Sequence, residues 1–270
     1  MDAVAPDTNA APDGDGIALA IEGRTATIRL DRPERRNALD AAMVAALHEA
    51  CRRIDRDAGI RAVIVHGTGG KAFCAGGDIE AWSALPASDF ARRWVRDGHD
   101  AFDALARLAQ PVIAVIDGHA LGGGLELAAC ADLRIMEAHA KVGQPETGLG
   151  IIAGWSGTQR CVRRFGASTV RRMALFGEVL NAEEALRLRV VDRIVPQGEG
   201  IAAAREIAQR LATRGPLATA VTKMAINVAE GEERERALDA VAGLAIAQTE
   251  DLREGVDAFG ERREARFGGG

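Results

Sequence analysis

The feature that most constrains this chain is the alternation of short, almost wholly apolar runs with helical patterns, followed by a stretch that is helical only. Residues 111–116 read Pro-Val-Ile-Ala-Val-Ile and residues 61–66 carry a similar apolar run. Runs this short and this apolar read as buried strands. Further strands are expected at 17–21, 25–30 and 133–136, the first two joined by a turn at Glu22, Gly23 and Arg24. Helices are expected from Asp40, a candidate N-cap, to about Ile54, then over 90–108 and 123–131. From about Gly166 onward the pattern is mostly helical, with segments at 167–176, 182–188, 201–214, 216–230, 233–248 and 251–267. Strands alternating with helices and then a helical tail define an α/β chain with a C-terminal helical region.

Composition narrows the function. Of 270 residues, 47% are hydrophobic and only 4% aromatic, with no Tyr, so aliphatic residues must build the core. The net charge of −5 lacks the basic footprint of a nucleic-acid binder. Cys51, Cys74, Cys130 and Cys161 form no CxxC pair, and the five histidines form no metal-binding cluster, so buried free thiols and no metal site are expected. No apolar run approaches the ~20 residues of a membrane span. Residues 1–16 carry four aspartates and no basic residue, which reads as a disordered acidic tail rather than a targeting signal and points to the cytoplasm.

Three glycine-rich segments are where chemistry can sit. Residues 118–126 (Gly-His-Ala-Leu-Gly-Gly-Gly-Leu-Glu) run from a strand into a helix. Glycine admits close approach to the backbone, and the first amides of a helix lack intrahelical acceptors, so the junction suits an oxyanion. Tight strand–helix packing is an equally open reading, with Glu126 then only complementing the helix dipole. Residues 71–79 (Lys-Ala-Phe-Cys-Ala-Gly-Gly-Asp-Ile) offer a second loop of free amides, or an ordinary surface turn. The third segment, 143–160, contains Gly148 and Gly150 at dinucleotide-motif spacing, but no strand precedes them and that motif is rejected. Ser156 is not in a nucleophile elbow, because Thr158 replaces the last glycine.

Taken in order, these segments resemble the crotonase superfamily, the enoyl-CoA hydratase/isomerase family, from about Ile17 to the C-terminus. The motifs are 32–39 (Arg-Pro-Glu-Arg-Arg-Asn-Ala-Leu), 73–79 (Phe-Cys-Ala-Gly-Gly-Asp-Ile), Gly122 to Gly124, 157–160 (Gly-Thr-Gln-Arg) and 254–259 (Glu-Gly-Val-Asp-Ala-Phe). The resemblance implies a spiral of repeated β-β-α turns over 17–200, a helical region over 201–270, and a homotrimer or homohexamer. It implies an acyl-CoA substrate, no cofactor beyond the coenzyme A of the substrate, and no nucleic-acid or membrane partner. It places the oxyanion hole at the backbone amides of Gly77 and Gly123 and the coenzyme near Arg36, Ala38, Ala75, Asp78 and Ile79. For Arg32, Arg35 and Arg36 two readings are open: facing the coenzyme phosphates, or a solvated strand end.

The resemblance also implies two catalytic glutamates, Glu126 after the triple glycine and Glu146 after Pro145, the pair expected of a hydratase that adds water to a 2-enoyl-CoA. Double-bond isomerisation, decarboxylation or C–C cleavage on the same scaffold is the alternative, with a non-catalytic coenzyme A- or RNA-binding relative further off. Gly154 keeps the family's backbone beside the catalytic water. Trp155 departs from the pattern, standing where a small residue is usual. Three roles are open to it: shortening the acyl pocket, excluding a β-substituent, or packing.

Overall fold

The structure, a computed structural model, describes residues 16–270. The tail expected over 1–16 lies, save for Gly16, outside the described residues. Two sheets organise the rest. The larger has the order β1 (Ile17–Glu22), β2 (Thr25–Leu30), β3 (Ala62–Gly67), β5 (Val112–Ile116), β7 (Leu133–Glu137), β10 (Arg193–Val195). The smaller runs β4 (Ala72–Cys74), β6 (His119–Leu121), β8 (Lys141–Gly143), β9 (Val179–Asn181). Strands β2 to β10 of the larger sheet are parallel, as are β4, β6 and β8; β1 and β9 pair antiparallel at their edges.

The chain visits the two sheets in turn: β3 then β4, β5 then β6, β7 then β8. After the first pair come α2 (Ile79–Ser83), α3 (Ala87–Asp89), a π-helical segment (Phe90–Val95) and α4 (Arg96–Ala106). After the second comes α5 (Gly123–Ala128), and after the third α6 (Gly157–Phe165) and α7 (Ala167–Phe176). This is the spiral of β-β-α turns, with α1 (Ala41–Asp55) before it and α8 (Ala182–Arg187) and α9 (Gly200–Leu211) closing it. Asp40 caps α1 as expected, its side chain accepting from the Met43 amide at 2.9 Å.

The apolar run of β5 is explained by burial on both faces. Val112, Ala114 and Ile116 enter one core with Leu47, Phe102 and Leu105. Ile113 and Val115 enter a second with Ala203, Ala204 and Ala208 of α9. A strand whose side chains alternate between two apolar layers needs no polar face. The three-residue strands of the smaller sheet are too short to leave a sequence pattern.

The chain divides into two compact units, one ending at Thr219 and the other spanning Ala220–Gly270. Helix α10 (Pro216–Ala229) opens at the end of the first, and α11 (Arg234–Ile246) and α12 (Glu250–Glu261) lie in the second. There Thr249 caps α12 by accepting from the Leu252 amide, and Asp251 accepts from the amides of Gly268 and Gly269. Helix α12 ends six residues before the expected limit, where Arg262 turns left-handed (φ 56°). Among the described residues no helix is long and apolar enough to cross a membrane, and no group of His, Cys, Asp and Glu is arranged to hold a metal ion. All four cysteines are free and buried.

Candidate active site

Parallel strands β4 and β6 lie side by side, and each runs into glycine. Gly76 (φ 105°) and Gly122 (φ 55°, ψ −125°) adopt backbone that side chains disfavour. A Cβ on Gly124 would overlap the Cys74 carbonyl, so only glycine lets α5 seat on the end of β4. That seating brings the two glycine turns together: a Cβ on Gly76 would stand 3.3 Å from the Gly123 nitrogen. Gly77 forms a parallel bridge with Leu39. The bridge uses the Gly76 carbonyl and the Asp78 amide, leaving the Gly77 amide directed away from it. Gly123 is the first residue of α5, where an amide has no intrahelical acceptor. The two expected oxyanion donors therefore occupy adjoining turns.

Glu126, one turn into α5, is 3% exposed. Its Oε1 accepts from the amides of Trp155 and Gly157, both at 2.7 Å. Burial pushes its carboxyl up to about 7, the neighbouring Glu146 adds to this, and the two amides and Arg160 oppose it. Gly157 has to be glycine, since a Cβ there would lie 2.5 Å from Glu126 Oε1 and Cγ.

Glu146 approaches Gly122 of the same turn. It opens a 3₁₀ turn (Glu146–Leu149), and its Oε1 would lie 3.2 Å from a Cβ on Gly122. That oxygen is buried and has no hydrogen-bond partner among the described residues. Glu146 also borders a cavity of about 420 Å³ lined by apolar groups of Ile152, Val162, Val170, Ala174 and Leu175. Burial raises its carboxyl above the usual range, favouring the neutral acid.

The five residues expected near the coenzyme converge on one feature together with the expected oxyanion donor Gly77. Arg36, Ala38, Ala75, Gly77, Asp78 and Ile79 line an open groove of about 310 Å³. Its floor is a backbone ladder in which Ala75 N donates to Arg36 O, Leu39 N to Gly76 O and Asp78 N to Leu39 O. The three arginines differ. Arg32 is held by Asp78 (2.8 Å), Asp40 (3.3 Å) and the Ala38 carbonyl. Arg35 pairs with Glu80 and, at 3.9 Å, with Asp78. Arg36 is exposed and forms no ion pair among the described residues.

The chain as a whole has counterparts among known proteins. The family model described as "Enoyl-CoA hydratase/isomerase" matches residues 20–270. The chain belongs to this family. Crotonyl-CoA hydratase of Syntrophomonas wolfei subsp. wolfei is 37% identical over 94% of the chain and 98% of that protein. The (E)-benzylidenesuccinyl-CoA hydratase of Thauera aromatica is 35% identical over 94% of the chain and 99% of its own length. Among solved structures, an enoyl-CoA hydratase from Bacillus anthracis superposes with a TM-score of 0.78 at 33% identity, covering 94% of this chain and all of that one.

Trp155, expected to depart from the family's pattern, lies in the short segment that leads into α6. Gly154 is half-buried and precedes the amides that hold Glu126. Trp155 is 3% exposed, its Nε1 donating to the Trp94 carbonyl at 3.1 Å and its ring against Trp94 and Phe102. Packing is thus one of its roles. Two supports went unread in the sequence. Helix α4 braces this segment and α6: Gly98 and Phe102 receive Trp155, His99 Nδ1 lies 3.0 Å from Ser156 Oγ, and Asp103 pairs with the buried Arg160 at 2.6 Å. Asn37, fully buried in left-handed backbone (φ 55°), donates to the carbonyls of Ala72 and Thr68 and so ties the groove's floor to β4. An Asn next to the exposed arginines was the available signal, because Asn tolerates that conformation and carries both donor and acceptor.

Proposed function

We propose that the chain is an enoyl-CoA hydratase, a hydro-lyase that reversibly adds water to a 2-enoyl-CoA thioester to give the 3-hydroxyacyl-CoA. The observation that carries this reading is the unequal pair of buried carboxylates, Glu126 three residues after Gly123 and Glu146 against Gly122. Glu126, with two amide donors on one oxygen, is the better supported as an anion; Glu146, with a bare buried oxygen, as the neutral acid.

In this reading the coenzyme lies along the groove at Arg36, Ala38, Ala75, Asp78 and Ile79. The thioester oxygen accepts from the amides of Gly77 and Gly123. Glu126 takes a proton from water as the water oxygen bonds to Cβ. The C=C electrons move toward the thioester, and the two amides stabilise the resulting enolate oxygen. Glu146 then delivers its proton to Cα. The product has gained one water, and a proton returned from Glu126 to Glu146 resets the pair. No redox change occurs, and the coenzyme A of the substrate is the only cofactor the reaction calls for.

The acyl group is a separate question, since the relatives named above act on a crotonyl and on a benzylidenesuccinyl thioester. The reading extends to a cytoplasmic homotrimer or homohexamer. It is supported by Leu149, Ile152, Leu175 and Phe176, which lie 58–83% exposed on the first unit; light scattering on the purified protein measures the assembly. The test of the reaction is loss of enoyl-thioester absorbance with crotonyl-CoA, with 3-hydroxybutyryl-CoA identified as product. Turnover in wild type and its loss in Glu146→Gln support the reading. No hydration of any 2-enoyl-CoA, despite acyl-CoA binding, sinks it.

A further inference from the structure

The chain has three tryptophans, and all three meet at one glycine. A Cβ on Gly77 would stand 2.8 Å from Trp94 Cζ2 and 3.4 Å from both Trp155 Cη2 and Trp82 Cδ1. The Trp155 ring reaches the second expected donor as well: a Cβ on Gly123 would lie 3.0 Å from its Cζ3 and 3.1 Å from its Cε3. At its other end, the Trp155 amide holds Glu126. One residue thus spans from the carboxylate to both oxyanion donors. Its ring has little freedom, with centroids 4.9 Å from Trp94 and 5.1 Å from Phe102 and Nε1 committed to the Trp94 carbonyl. The seat exists because residue 98 is glycine; a Cβ there would overlap the indole nitrogen.

We propose that Trp155 determines acyl specificity: its indole is a fixed wall beside the oxyanion donors that admits small, unbranched 2-enoyl groups and turns away acyl groups with bulk near the reacting carbons, and Gly98 sets where that wall stands. The proposal rests on the assignment of Gly77, Gly123 and Glu126 made above. A thioester oxygen bonded to the two amides brings Cα and Cβ alongside the residues the ring touches. A close-packed aromatic cluster does not yield cheaply to an incoming substituent. The two positions act in opposite directions. Shrinking the ring widens the acyl space, whereas a methyl group at residue 98 pushes the ring toward Gly77 and Gly123 and narrows it.

The experiment compares kcat/KM for crotonyl-CoA, 3-methylcrotonyl-CoA and cinnamoyl-CoA in wild type, Trp155→Phe and Gly98→Ala, with circular dichroism to confirm folding. Wild type is expected to favour crotonyl-CoA. Trp155→Phe is expected to raise the ratio of either bulky substrate to crotonyl-CoA by about tenfold, mainly through KM of the bulky substrate. Gly98→Ala is expected to lower that ratio; if it does not fold, Trp155→Phe decides alone. A folded Trp155→Phe that hydrates crotonyl-CoA with the ratio within about twofold of wild type overturns the proposal, as does a wild type that takes cinnamoyl-CoA as well as crotonyl-CoA. A wild type that hydrates none of the three overturns the hydratase reading itself, and this proposal with it.

Discussion

The two flanks of the Gly122–Gly123 turn are built differently. On one, Glu126 sits on a helix, reads two backbone amides from the 155–157 loop, and is braced through that loop by α4. On the other, Glu146 hangs from a short 3₁₀ turn, with an unpartnered oxygen beside an apolar cavity. Burial raises both carboxyls; two amides of the 155–157 segment offset it at Glu126, and only a backbone hydrogen bond of its own residue does so at Glu146. Burial dominates the proton affinity of both carboxyls, and they differ in which backbone groups reach each one and in the Glu146 Oε1 that has no hydrogen-bond partner among the described residues. In the proposed reading, these unlike surroundings divide two chemically identical side chains into base and acid.

The most direct way to break this comparison is to neutralise each side in turn. Glu126→Gln and Glu146→Gln are each expected to lower kcat for crotonyl-CoA hydration by about 10²–10⁴, measured by enoyl absorbance. Near-normal turnover in either variant removes that residue from the proposed pair. Next in size is Gly157→Ala, which disturbs only the Glu126 flank. Its Cβ displaces the carboxylate, and a shift near 1 Å is expected to cost about 10² in kcat with KM little changed.

The pH profile sharpens the comparison further. With Glu126 acting as an anion and held at about 7, kcat/KM is expected to fall about tenfold per pH unit on the acid side of that value. A profile flat down to pH 5 contradicts the assignment. The smallest effect is on stability. A carboxyl raised from 4.5 to about 7 binds its proton more tightly folded than unfolded, so wild type loses stability as pH rises through that window. Glu126→Gln lacks this loss, and its Tm relative to wild type is expected to rise between pH 5 and pH 8, as thermal melts can establish.

The sequence by itself determined the strand–helix alternation, the cap at Asp40, the glycine turns and the family motifs that put two glutamates at matching positions. These are local or linear properties, carried by apolar periodicity, by turn chemistry and by the order of short motifs. The positions lining the open groove come together because residues 36–39 pair with 75–78, contacts between segments nearly forty positions apart. Only the tertiary structure decided which arginine is left free, since Asp78 and Glu80 claim Arg32 and Arg35 from across that gap. It also decided that Trp155 packs against Gly98, and that α4, in sequence merely an amphipathic helix, is the brace for the Glu126 flank. The physical reason is the same in each case. Burial and hydrogen-bond partnership depend on what arrives from elsewhere in the chain, and no spacing within one segment encodes the neighbour that will meet it.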